Sequence, residues 1–131
     1  MKVEVVSKVD VAIEAEKEAI QRALEAIGIQ FMGDAADYCP VDTGRLRASI
    51  TYATQDAKGT YGSPFKSGDS SISGTVPEAT VIVGTNVEYA PYVEYGTSKS
   101  REQSFLRRAL QENMDTYAAI FESELSKDVD L

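Results

Sequence analysis

Residues 39–50, Cys39-Pro40-Val41-Asp42-Thr43-Gly44-Arg45-Leu46-Arg47-Ala48-Ser49-Ile50, are where the chain leaves a helical repeat and begins to alternate. Pro40 cannot continue a helix: it disfavours helical geometry at Cys39 and supplies no N–H. Val41-Asp42-Thr43-Gly44 reads as a structural turn, because Asp42 and Thr43 can bond nearby backbone N–H groups and Gly44 permits positive φ. Arg45 to Ala48 is long enough for one helical turn. Ser49 to Thr54 then alternates Ile50 and Tyr52 with β-branched neighbours, the pattern of a strand. Helix, turn and strand in direct succession predict an α+β fold.

Upstream of this stretch, a long N-terminal helix is predicted from Asp10, a good N-cap, to Tyr38. Ile13, Ile20, Leu24, Ile27, Phe31, Ala35 and Tyr38 form one apolar stripe, with Glu18 and Arg22 at i, i+4 away from it. Gly28 and Gly33 each weaken the helix by about 1 kcal/mol relative to Ala. Twenty-nine helical residues would span roughly 43 Å, against a diameter of about 36 Å for a compact chain of this length. The helix should therefore either kink at its glycines or overhang the domain.

Downstream, Thr80 to Thr85 (TVIVGT) is the clearest strand and too apolar to be exposed on both faces. Residues 55–78 hold four Gly, two Pro and five Ser, the composition of a long, flexible hairpin loop between the two strands of a small antiparallel sheet. Tyr61 and Phe65 are its only aromatic residues. Tyr89, Tyr92 and Tyr95 at three-residue spacing favour a helical turn ended by Gly96, and Pro91 argues against a central strand. A C-terminal helix is expected from Ser104, a candidate N-cap, to Ser126, with a stripe of Leu106, Leu110, Tyr117, Phe121 and Leu125. No linker divides the 131 residues, so residues 1–131 read as a single domain.

Composition narrows the chemistry. Twenty-one Asp and Glu against thirteen Lys and Arg give a net charge of −8, a poor match to phosphate backbones. The acids sit at the ends: residues 1–38 carry eight acids and four bases, residues 39–108 seven and eight, and residues 109–131 six and one. With no His, serine–histidine and cysteine–histidine catalysis and His-containing metal sites are excluded. One cysteine, Cys39, supports neither an internal disulfide nor a Cys-based zinc site. It reads as a small hydrophobe near a helix end, compatible with a reducing cytosol. No apolar run approaches the ~18 residues of a membrane span, and MKVEVVSKVD lacks a signal peptide's apolar stretch, so no membrane partner is expected.

Asp37 with Asp42 could be drawn as an acid/base pair, but nothing in the sequence fixes their separation or perturbs their pKa values. The loop glycines match neither a P-loop nor a dinucleotide fingerprint. No enzyme activity, cofactor or metal is expected. Arg45, Arg47, Lys99, Arg101, Arg107 and Arg108 are the only basic concentration. They read either as contacts to a partner or passing DNA, or as internal balance for the acidic helices, the second fitting a weak field better. The three tyrosines read as core with hydroxyls at the rim rather than as a stacking platform.

Four segments taken in order carry a family likeness: 39–50 (CPVDTGRLRASI), 81–85 (VIVGT), 89–97 (YAPYVEYGT) and 105–110 (FLRRAL). Together they resemble the minor tail-component family of long-tailed bacteriophages and prophages, also called tail-completion, neck or head–tail joining proteins. Ser104 stands where that family commonly has a proline. The resemblance implies a structural, non-enzymatic subunit of the virion. It would form a ring, a hexamer in the virion and a monomer off it, at the head-proximal end of the tail. Its partners would be itself, the tail-tube protein and the head connector, with DNA only as passing channel contents. It would reside in the bacterial host cytoplasm during assembly. Closed rings need heterologous interfaces, for which Arg45, Arg47, Tyr95, Lys99, Arg101, Arg107 and Arg108 are the candidate contact residues. Asp42, Thr43, Gly44 and Gly96 are the structural turn residues. The alternative from another class is an acidic, prophage-encoded binding protein that neutralises or regulates a basic partner.

Overall fold

In the computed structural model the described residues are 2–6, 14–41, 44–63, 66–72 and 74–127. The order is β1 (Lys2–Val6), α1 (Glu14–Tyr38), α2 (Arg45–Ser49), β2 (Thr51–Ala53), β3 (Lys58–Thr60), β4 (Thr80–Gly84), α3 (Ala90–Tyr95), α4 (Leu106–Glu112) and α5 (Met114–Ser126). The fold is α+β, with a long N-terminal helix, a small antiparallel sheet and helices at the C-terminal end.

The sheet runs β1-β4-β2-β3. All its pairs are antiparallel, with Lys2 opposite Gly84, Thr51 opposite Gly84, and Thr51 opposite Thr60. As the apolar run of 80–85 requires, β4 is internal to the sheet and buried at every residue. Two strands go beyond the sequence reading. β1 occupies residues for which no element was expected. β3 lies inside the Gly/Ser-rich stretch 55–78, so β2 turns back at once onto β3 and the longer connection is the one from β3 to β4.

Helix α1 is the central element, packed against β2 and β4 and against α4 and α5. Its predicted stripe is the core: Ile20, Leu24, Ile27, Phe31 and Ala35 are buried and Tyr38 is packed at the margin, while Ile13 and the predicted start at Asp10 lie outside the described residues. The helix continues through Gly28 and Gly33 without a break. Its 25 residues span about 37 Å, close to the diameter of the domain, so no overhang is required. Gly28 marks the closest approach to the sheet: a Cβ there would lie 2.8 Å from Val81 Cγ2 and 2.9 Å from Tyr52 Cδ2.

The expected C-terminal helix divides at Asn113, whose φ of −122° and ψ of 16° interrupt the helical path. The Asn113 side chain follows the break inward, donating from Nδ2 to the Ala109 carbonyl at 2.9 Å. Both halves still present the predicted stripe to α1. Tyr117 stacks on Phe31 with ring centroids 5.5 Å apart, and its hydroxyl donates to Asp34 Oδ2 at 2.7 Å.

Candidate functional site

The corner between α3 and α4 gathers most of the residues singled out by sequence. Pro91 sits in the first turn of α3, where a missing N–H costs nothing. Gly96 ends the helix with φ of 78°. A Cβ at that position would lie 2.7 Å from the Glu102 nitrogen and 3.0 Å from the Ser100 oxygen, so both conformation and space demand glycine. The chain then closes on itself. Thr97 N–H donates to the Ser100 carbonyl at 2.9 Å, and Thr97 Oγ1 accepts the N–H groups of Lys99 and Ser100 at 3.2 and 3.0 Å. Gln103 N–H returns to the Val93 carbonyl at 2.8 Å.

Beneath this turn lies Glu94, with no exposed surface. Its Oε2 accepts the N–H groups of Phe105 and Leu106 at 2.8 and 3.1 Å, and its Oε1 accepts that of Arg107 at 2.8 Å. These are the donors that the start of a helix leaves without partners, and the negative charge sits at the positive end of the helix dipole. Ser104, the predicted N-cap, does not cap α4; its hydroxyl donates to Glu94 Oε1 at 3.1 Å. Arg107 completes the set, with Nε on Glu94 Oε1 at 3.2 Å and Nη2 on the Glu94 carbonyl at 2.8 Å.

Four of the six predicted cations are engaged within the molecule. Arg107 also meets Glu102 at 3.1 Å and lies 4.4 Å from the centroid of the Tyr95 ring. Arg108 pairs with Glu112 at 3.0 Å and covers the Tyr38 ring at 4.3 Å. Tyr38 donates its hydroxyl to the same Glu112 at 2.6 Å, and these two bonds hold the Glu112 carboxyl below the usual range. Arg45 grips Asp69 through Nε and Nη2 at 2.7 and 2.9 Å, and also reaches Glu88 at 2.8 Å. Arg47 lies over the Tyr61 ring at 5.4 Å and donates to its hydroxyl at 3.2 Å. Lys99 and Arg101 differ: both are exposed at the tip of the turn, and neither forms an ion pair among the described residues.

Tyr92 and Tyr95 correct the reading of the tyrosines as core. They are 63% and 57% exposed on the same side of α3, and only Tyr89 packs against the core. Beside the corner is a notch of about 490 Å³ bounded by Tyr38, Pro40, Glu102, Gln103, Ser104 and Arg108.

Of the turn residues, Gly44 has φ of 78°, while Asp42 and Thr43 lie outside the described residues. So do Pro64, Phe65 and Ser73. Asp69 fastens the segment after β3: its carboxylate takes Arg45 and the Lys66 N–H, and its carbonyl takes the Asn86 N–H at 2.7 Å. Cys39 is buried, which pushes its thiol up to about 12 and away from reactivity at neutral pH. Asp37 is exposed and Glu94 is occupied as a helix cap, while Asp42, the other carboxylate of the drawn acid/base pair, lies outside the described residues. Among the described residues no group of three or more His, Cys, Asp or Glu could hold a metal, and no helix is long and apolar enough to cross a membrane.

Asp69 and Glu88, the partners of Arg45, had no signature in the sequence, because they lie 24 and 43 residues from it. Glu102 and Glu112 are five and four residues from Arg107 and Arg108, and the i, i+4 spacing of Arg108 and Glu112 was a signal that could have found that pair. Tyr92 did have one, its three-residue spacing from Tyr95.

What the corner can do is present a fixed surface of aromatic rings and cations. No curated protein and no solved structure matches the chain. A family model does: HK97-gp10-like, described as "Bacteriophage HK97-gp10, putative tail-component", matches residues 3–96. The matched region begins in β1 and ends at Gly96, so it contains 39–50, 81–85 and all of 89–97 but its last residue, Thr97, and does not contain 105–110 (FLRRAL). Matched over more than half its length, the chain belongs to the HK97-gp10-like family of bacteriophage tail components.

Proposed function

We propose that the protein is a structural, non-enzymatic subunit that assembles with copies of itself into a ring, a hexamer, at the head-proximal end of the phage tail. There it joins the tail tube to the head connector while DNA passes through. It is made in the host cytoplasm and ends in the virion, from a phage or a prophage. Family membership supplies the tail. The observation that carries the step to assembly is the α3–α4 corner, where a buried carboxylate and six hydrogen bonds hold a turn that leaves Tyr92, Tyr95, Lys99 and Arg101 exposed. A surface held in place this way loses little conformational freedom on binding, which favours assembly over transient contact. The acidic terminal helices suit a neck through which DNA must slide, because repelled phosphates form no lasting contacts.

Deleting the coding sequence from the phage tests this reading. Heads and tails that accumulate unjoined, with joining restored by the gene in trans, are the expected result. Normal yields of joined particles would overturn it.

A further inference from the structure

Resting on that reading, we propose that the exposed tip of the α3–α4 corner docks on the outer face of α5 in a second copy of the chain, making a head-to-tail contact. The tip offers Tyr92 and Tyr95 at 63% and 57% exposure, with Lys99 and Arg101 beside them on a turn closed by its own backbone. The nearby acid of the tip, Glu102, is already taken by Arg107. The tip therefore presents two uncompensated positive charges next to two half-open aromatic rings.

The complementary surface lies on α5. Asp115, Ala118, Ala119 and Glu122 are all exposed and recur at helical spacing, so they share one face. Asp115 and Glu122 stand two turns apart, roughly 10 Å, and among the described residues neither side chain forms an ion pair. The alanines between them leave a shallow saddle in which a tyrosine ring can lie flat, flanked by carboxylates that face the cations.

Placement favours two different copies. Tyr38 meets Glu112, whereas Tyr117 meets Phe31 and Asp34, so α5 runs back along α1 away from the Tyr38 end. The tip borders the notch at Tyr38, and Glu122 lies toward the other end of α1. Two unlike patches at separated positions on one chain are what a heterologous, ring-closing interface uses.

Sedimentation velocity of the full chain over a concentration series, at low and high salt, tests the contact by charge exchange. Lys99→Glu with Arg101→Glu should raise the concentration for half-association about tenfold or more, while urea unfolding stays as in the natural chain. Adding Asp115→Lys and Glu122→Lys to the same chain should restore association. High salt should weaken the natural contact, since exposed charges are screened. If the first pair unfolds the chain, Lys99→Ala with Arg101→Ala serves in its place. Association unaffected by the first pair would overturn this contact and leave the ring intact. Loss without restoration would overturn α5 as the occupant. A natural chain that stays monomeric at every concentration, with the tail-tube protein present as well as without it, would overturn the ring and the contact together.

Discussion

At Glu94, a carboxylate with no exposed surface is kept inside the molecule by the first N–H groups of α4 and by Arg107. Glu94→Gln preserves the shape but turns an amide toward some of those donors. The expected cost is about 2–4 kcal/mol, the range for an unmatched buried polar group that also loses its charge; a urea denaturation midpoint measures it. Asp69 allows a test by pH. The hydrogen bonds from Arg45, followed by the Lys66 N–H, hold its carboxyl below the ordinary value. A lowered folded-state pKa gives stability that is fully present above about pH 4, where the unfolded carboxyl ionises, and is lost as pH falls through the folded value. Asp69→Asn should therefore melt below the natural chain at neutral pH, with the gap closing in acid. Equal gaps at both pH values would contradict the role given to this ion pair. These residues also show the reach of sequence reading. The arginines were legible as a group, and internal balance by acids was one of their two readings. The partners of Arg45 were not, since Asp69 and Glu88 stand 24 and 43 residues from it and nothing local links them.

Among the elements, α1 and β4 were legible because their patterns are long or strongly apolar, and α3 because Tyr89, Tyr92, Tyr95 and Gly96 mark its turn and end. β1 was passed over because it has five residues and pairs only with β4, far along the chain. β3 is the tripeptide Lys-Gly-Thr, whose pairing comes from its position opposite β2 rather than from propensity. The break at Asn113 carries neither proline nor glycine. The glycines of α1 separate two effects in one helix. Nothing lies within 4 Å of a Cβ at Gly33, so Gly33→Ala should raise stability by about 0.5–1 kcal/mol through helix propensity alone. At Gly28 the same gain is opposed by contacts of 2.8 and 2.9 Å with Val81 and Tyr52. Overpacking costs about 1–3 kcal/mol, so Gly28→Ala should lower stability. Thermal melts of the two variants check both signs; a stabilising Gly28→Ala would show that α1 is not seated on the sheet at this point.

For the whole molecule, the charge of −8 has an arrangement as well as a size. In the middle segment Arg45, Arg107 and Arg108 are paired with acids, whereas Lys99 and Arg101 stand exposed at the tip and carboxylates line the outer helices. A chain with unlike patches at separated positions is suited to repeat around a ring. We propose that this arrangement suits the chain to assemble with itself in a phage tail. The most direct test is a native mass measurement of the full chain, alone and with the tail-tube protein of the same phage. A self-assembling chain gives a discrete species of several 14.2 kDa chains, six for the proposed hexamer, at high concentration or on addition of the tube protein. A single-chain mass under every one of those conditions would contradict it.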